Sequence, residues 1–362
     1  MKSNKTKQNI PINKGHFTLD TQKRIDSFQI KMAYDWQDNN YQEYRLLWSE
    51  LPQSKKIREY PLLVDLELAS VCNLKCPMCY TITDDFKRKV RKGFMDFALF
   101  KKIVDEIAGK VYALRLSLRG EATLHKDFIR CVEYAKKKGI KEVSTLTHGG
   151  TLSLDFFKQL SDSKIDWITI SIDGVDEQYD KIRKPLKFTD TLKRLQDIKQ
   201  YKDKNNLVKP IIKVQGIWPA IRVNPTKYYE TIAPLVDLVA YNPLIDYLRK
   251  DSEIVYEENF SCSQLYQRVV VGSDGKVMMC SNDEDGEKII GNAYEETIYD
   301  IWHGDKLNKI RELHNEYDGF KKIDVCRACY YPRKAVADEQ AFVGDREIWI
   351  ENYINRDQKV GD

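Results

Sequence analysis

Cys72, Cys76 and Cys79 stand within eight residues in the run SVCNLKCPMCY, and this C-x3-C-x2-C spacing constrains the chain more than any other feature. Three soft sulfur ligands leave one iron of a four-iron cluster without a protein ligand, so that a small molecule can bind there. A three-cysteine zinc site usually recruits a histidine, and none lies between His16 and His125. A disulfide with a spare thiol fits poorly with a polar N-terminal stretch that lacks the apolar core of a secretory signal. The run is therefore read as the seat of a 4Fe–4S cluster with an open iron.

A chain of 362 residues has room for one barrel and a smaller appended module. A net charge of +4 is small beside 59 basic and 55 acidic residues, so no nucleic-acid partner is expected. No run of 18 apolar residues occurs, so no membrane span is expected either. Eight cysteines without a secretory signal fit a reducing compartment, and a cytoplasmic metalloenzyme is expected.

Along the chain, residues 1–15 are polar and read as mobile, and the apolar spacing from Thr21 to Leu51 predicts one or two helices. Those helices are expected to pack across a barrel mouth or to form a dimer contact. Strands are predicted at LLVDLELAS, ALRLSL, VSTLT, WITISID, IIKVQGI and LVAYNPL, with helical patterns between them. Alternating β and α units argue for an α/β fold with a parallel sheet. One face of these strands is apolar. The other carries Asp65/Glu67, Arg115/Ser117/Arg119, Thr145/Thr147, Thr169/Ser171/Asp173 and Lys213/Gln215. Turned inward, that polar set makes either a wet lumen or a network of salt bridges. The expected division is an N-terminal extension over 1–60, a barrel over 61–250, a cysteine module over 251–335 and a tail over 336–362.

At the end of a first strand, C-x3-C-x2-C resembles the signature of the radical S-adenosylmethionine (SAM) enzymes. The resemblance implies a six-stranded (βα)6 partial TIM barrel whose open iron binds SAM and splits it into methionine and a 5′-deoxyadenosyl radical. It also implies a flavodoxin- or ferredoxin-type reductant. Arg119-Gly120-Glu121 is similar to the family's Gly-Gly-Glu motif, with Arg in the first place, and implies SAM contacts from Gly120 and Glu121. Thr147-His148-Gly149 is similar to its Thr-Asn-Gly turn and implies a contact from Thr147. His148 is either a turn residue tolerating positive φ or a ligand. Ser171 and Arg183 resemble the ribose and carboxylate contacts, and Asp173 shares the face of Ser171.

A second set follows. Cys262, Cys280, Cys326 and Cys329 form C-x17-C-x45-C-x2-C, with RVVV and KVMMC predicting a β-hairpin around Ser-Asp-Gly. Four cysteines serve zinc or a second cluster alike. The pattern resembles the C-terminal SPASM module in its shortened "twitch" form, which implies one auxiliary 4Fe–4S cluster. Among twitch enzymes it is similar to the 2-deoxy-scyllo-inosamine dehydrogenase type, which oxidises an aminocyclitol and passes an electron to that cluster.

The resemblance leaves two reactions open: oxidation of a sugar, cyclitol or aminoglycoside-like alcohol, and epimerisation or peptide modification. Epimerisation commonly needs a thiol donor. The one uncommitted cysteine, Cys131, falls on the apolar stripe of a helix with Phe128 and Ala135, so oxidation ranks first. Arg115, Lys213 and Tyr241 are the candidates for deprotonating the substrate hydroxyl, and Asn242 and Asp246 complete a polar lumen end.

Overall fold

The computed structural model describes residues 8–15, 17–36, 40–243, 253–355 and 360. A short strand β1 (Phe17–Thr18) and two helices, α1 (Gln22–Met32) and α2 (Asn40–Ser54), come first. The six predicted strands follow as β2 (Leu63–Leu66), β3 (Ala113–Arg115), β4 (Glu142–Thr147), β5 (Trp167–Ser171), β6 (Ile211–Ile217) and β7 (Leu238–Asn242). They are parallel and lie side by side in sequence order. Each parallel pairing needs a crossover, and amphipathic helices such as Phe97–Ile107, Phe128–Lys137 and Phe188–Lys204 supply it. Leu99, Ile103 and Val104 on the first of these, and Phe128, Cys131 and Val132 on the second, join Val64, Leu114, Val143, Ile168, Ile212 and Val239 in one apolar core. Cys131 is fully buried there, where the sequence places it.

Register decides what faces the lumen. Asp65 pairs with Arg115, Arg115 with Ser144 and Ser144 with Trp167. One level up, Leu146, Thr169, Lys213 and Leu238 share that face, and above them Ser171, Gln215 and Ala240. Thr145 and Thr147 instead pair with Ile168 and Ile170 and belong to the outer face, opposite to the expectation. The β4 sequence is polar on both faces, so its own alternation does not set the phase; burial of Val143 against the helices does. Tyr241 is also on the outer face, paired with Gly216, stacked 5.3 Å from Phe17 and tilted against Trp218 at 5.4 Å. Part of the lumen is the salt-bridge network that the sequence left open: Asp65 is 2.8 Å from Arg115 and 3.2 Å from Arg268. Leu244 and Asp246 lie outside the described residues.

The sheet holds ten strands rather than six. A partial barrel leaves the unpaired N–H and C=O groups of β2 and β7 at its edges, and exposed edges are normally covered. Here β8 (Arg268–Val271) pairs parallel to β2, followed by antiparallel β9 (Lys276–Met278) and β10 (Ile289–Asn292), while β1 covers β7. The predicted hairpin is thus β8–β9, continuous with the barrel sheet. Residues 336–362, offered by the sequence only as a tail, carry most of a separate antiparallel pair, β11 (Ala335–Val343) and β12 (Arg346–Tyr353). Residues 8–15, within the stretch read as mobile, are held to the cysteine module: the Asn9 amide donates to the Asn259 carbonyl at 3.1 Å, and Lys14 pairs with Glu257 at 2.8 Å.

A buried ion pair fastens barrel to module. Arg119 donates from Nε and Nη2 to the two oxygens of Glu67, both at 2.6 Å, and Glu67 accepts the Ser273 amide at 2.9 Å. Arg119 Nη1 donates to the Glu284 carbonyl at 3.0 Å. At the opposite end, α1 and α2 lie across the starts of the strands, around a cavity of about 910 Å³ lined by Tyr41, Arg45, Glu142, Trp167 and Leu238. Glu142 is only 7% exposed, and burial, with Asp166 nearby, pushes its carboxyl up to about 7.

Two outcomes are expected from unfolding in urea. Replacing Arg119 by Met strands the Glu67 charge in the interior and should lower stability by about 3–5 kcal/mol, part of which returns when Glu67→Gln is added. The raised value of Glu142 means that the native state holds this proton more tightly than the unfolded chain, so stability falls as pH rises from 4.5 to about 7. Glu142→Gln should therefore stabilise the protein by about 3 kcal/mol at pH 8 and leave it unchanged at pH 4.

Candidate active site

The chain leaves β2 through Ala69 and Ser70 into the loop that carries the first three cysteines. A short apolar patch of Leu74, Cys76, Met78, Ile182 and Ala220 seats this loop over the ends of β5 and β6. Cys72 is exposed, Cys76 buried and Cys79 half-buried. Burial pushes the Cys76 thiol up to about 11 against the pull of Arg183, and Cys79 and Cys72 raise it further, so the three sulfurs sit close enough to act on one another.

The next strand end packs directly on this loop. Gly120 has φ +63°, and a Cβ there would lie 2.6 Å from the carbonyl oxygens of Ala69 and Val71. Only glycine permits that approach. The Glu121 amide donates to the Val71 carbonyl at 2.8 Å. Glu121 itself is 2% exposed, and its partners are internal. Its carboxylate accepts from the Thr147 hydroxyl at 2.6 Å, the His148 amide at 2.8 Å and the Thr123 amide at 3.3 Å. Thr147 and Glu121 thus hold each other.

His148 Nδ1 accepts from the Gly150 amide at 2.9 Å, which places the proton of the neutral ring on Nε2, 2.7 Å from Asn73 Oδ1. The residue is a strut between the third strand end and the cysteine loop, and the positive φ of the turn belongs to Gly149. Asp173 accepts from Arg183 at 2.7 Å (Nε) and 2.5 Å (Nη2), and from the Ile217 amide at 3.0 Å. Ser171 is half-buried at the end of β5 on the lumen face.

The second set assembles from four places: Cys262 before the turn Ser263–Tyr266, Cys280 after β9, and Cys326 and Cys329 in and after the helix Asp324–Ala328. Burial raises the Cys280 thiol, and Cys262, Cys329 and Cys326 each add to the rise. Among the described residues no three Cys, His, Asp or Glu side chains converge on a single metal ion. By donor chemistry the four thiolates suit a closed 4Fe–4S cluster or one zinc. Several N–H groups face the sulfurs: His314 Nε2 is 3.4 Å from Cys326 Sγ, and Asn282 Nδ2 and the Tyr331 amide are each 3.4 Å from Cys329 Sγ.

A pocket of about 610 Å³ opens beside the second set, lined by Cys329 and Tyr330, by Asp84 and Glu284, and by Tyr80, the residue after Cys79. Glu284 lines this pocket, and its charge acts on Tyr80, Cys329 and Tyr330. The three candidate bases are not brought there. Arg115 is paired with Asp65, and a guanidinium does not deprotonate in proteins. Tyr241 faces outward. Burial pushes the Lys213 ammonium down to about 8, but it lies over the Trp167 ring at 5.7 Å, toward the starts of the strands and away from the cysteines. Glu284 and His314 escape sequence reading because nothing local marks them; Asn73 lies inside the cysteine run, but its role depends on His148, far along the chain.

Residues 66–214 match the family model of the Radical SAM superfamily, and residues 262–330 that of the SPASM iron-sulfur cluster-binding domain. The chain thus carries a Radical SAM domain followed by a SPASM domain. Its cofactors are 4Fe–4S clusters and SAM. On the geometry above, Cys72, Cys76 and Cys79 would hold the SAM-binding cluster and Cys262, Cys280, Cys326 and Cys329 the auxiliary one. The chain is 24% identical over 280 residues to the SAM-dependent 2-deoxy-scyllo-inosamine dehydrogenase of Niallia circulans, a match that covers 74% of this chain and 92% of that protein. It is 30% identical to Fe-coproporphyrin III synthase of Methanosarcina barkeri over 112 residues, 31% of this chain. The chain spans 27% of that protein's length, and 30% and 41% of two further curated relatives. The crystal structure of BtrN in complex with AdoMet and 2-DOIA has the same fold, with a TM-score of 0.52 at 20% identity over 76% of this chain and 94% of BtrN. No helix among the described residues is long and apolar enough to cross a membrane.

Anaerobic preparations are expected to carry about eight iron and eight sulfide. Cys76→Ala and Cys280→Ala should each reduce the iron to about four, and only Cys76→Ala should abolish formation of 5′-deoxyadenosine from SAM.

Proposed function

We propose that this enzyme oxidises an alcohol of a sugar or cyclitol by two electrons. The observation that carries the reading is the pocket that has Cys329 of the four-cysteine set in its wall and reaches Tyr80, the residue after Cys79. A substrate there meets the closed set directly, and an oxidation has a use for a second redox centre that a redox-neutral rearrangement lacks. The likeness to the 2-deoxy-scyllo-inosamine dehydrogenase of Niallia circulans supports the same reaction class.

When bound, SAM and the three-cysteine cluster supply a radical that removes hydrogen from the substrate carbon, and the four-cysteine cluster supplies an acceptor for the remaining electron.

The residues do the rest. Arg183, held by Asp173 beside Cys76, presents a guanidinium suited to a carboxylate such as that of the methionine part of SAM. Gly120 brings its strand end against the cysteine loop, while Glu121, Thr147 and His148 lock the neighbouring turn, so the loop is preorganised. Ser171 offers a hydroxyl at the lumen end. Glu284 receives the hydroxyl proton, a role for a carboxylate in the wall of this pocket, and Arg119 fixes its backbone. Carboxylate walls suit a ligand rich in hydroxyl and amino groups.

The test pairs two assays over a panel of sugars and cyclitols. Glu284→Gln is expected to lower ketone formation by about a hundredfold while 5′-deoxyadenosine is still made. Cys329→Ala should also uncouple cleavage from product. If ketone accumulates at the wild-type rate in Cys329→Ala, the oxidative reading fails.

A further inference from the structure

His314 is fully buried in the helix Asp305–Asn315, between two cysteines of the second set. Its Nδ1 accepts from the Cys262 amide at 3.3 Å. A neutral imidazole that accepts at Nδ1 carries its proton on Nε2. Nε2 lies 3.4 Å from Cys326 Sγ, so the ring is a donor to that sulfur. The ring has little freedom to turn away: Phe260 meets it edge-on at 6.2 Å, and the backbone carbonyl of His314 accepts from the Gln8 side chain at 2.9 Å. Asn282 Nδ2 points a second side-chain donor at Cys329 Sγ, at 3.4 Å.

Hydrogen bonds to the sulfur ligands are one of the levers that set a cluster's potential, because the reduced cluster carries an extra electron and its sulfurs accept more strongly. A donor therefore stabilises the reduced form and makes the cluster a better acceptor. We infer that His314, supported by Asn282, is a positioning residue that raises the reduction potential of the auxiliary cluster through an N–H···S bond to Cys326. The inference rests on the four cysteines holding a cluster and is independent of the substrate.

The experiment is an anaerobic dithionite titration of the reconstituted full-length enzyme followed by electron paramagnetic resonance. The signal that SAM leaves unchanged reports the four-cysteine set. In His314→Phe, which keeps a flat ring and removes the donor, iron should stay at about eight. The midpoint of that signal should move to more negative potential, and the SAM-sensitive signal should stay where it is. His314→Gln, which retains an N–H, should show a smaller shift, and Asn282→Ala should shift the same signal in the same direction. An unchanged midpoint in His314→Phe at full iron would overturn the inference. Loss of about four iron in both His314→Phe and His314→Gln would overturn it too, because it would make His314 a ligand. The spectroscopic readout needs no turnover, so failure of the oxidase reading leaves this test standing.

Discussion

β2 is the strand on which everything else depends. Its C-terminal end launches the three-cysteine loop, one of its edges pairs with β3 and the other with β8. Main-chain hydrogen bonds on both edges therefore connect the loop's origin to Gly120 on one side and to the hairpin before Cys280 on the other. Just beyond the strand, Glu67 adds the bidentate bond to Arg119 and the bond from Ser273. A charged pair buried this deeply adds little net stability over a well-packed apolar pair, but it is costly to leave half-made. It thus fixes one arrangement of barrel and module and, with it, the pocket that Tyr80, Glu284 and Cys329 line.

Pairing β8 with β2 also accounts for the chemistry of the site. A separate module on a flexible tether would let the two metal centres wander relative to one another. A continuous sheet does not, and the carbonyl of Glu284 is held by the same arginine that braces β2. The opposite end of the barrel is of a different kind. α1, α2 and their connection cover it with stacked aromatics such as Trp36 and Tyr44, and Glu142 and Lys213 lie there in environments that disfavour their charges. The polar lumen is thus divided into a braced end near the cysteines and a desolvated end near the helices.

Much of the fold was legible because its signals are local. Short β-rich runs marked all six barrel strands, helical spacing marked the crossovers, and a Ser-Asp-Gly turn marked β8–β9. The misplaced residues share one cause. Thr145, Thr147 and Tyr241 sit in strands where both faces carry polar or amphipathic side chains, so alternation alone does not say which face turns inward. Arg115 and Lys213 do face the lumen, but their partners, Asp65 and Trp167, come from other strands. No spacing along one strand reveals which neighbour claims a side chain.

By itself the sequence determined the two cysteine sets and the strand-helix order, because ligand spacing and hydrophobic period are properties of short stretches of chain. The tertiary structure alone decided that the second set's hairpin extends the barrel sheet, that Glu121 and His148 brace loops, and that His314 reaches Cys326. Those outcomes depend on register and on closure between segments far apart in the chain, such as Glu67 with Ser273 or Cys262 with His314, and such pairings are set only when the whole core packs.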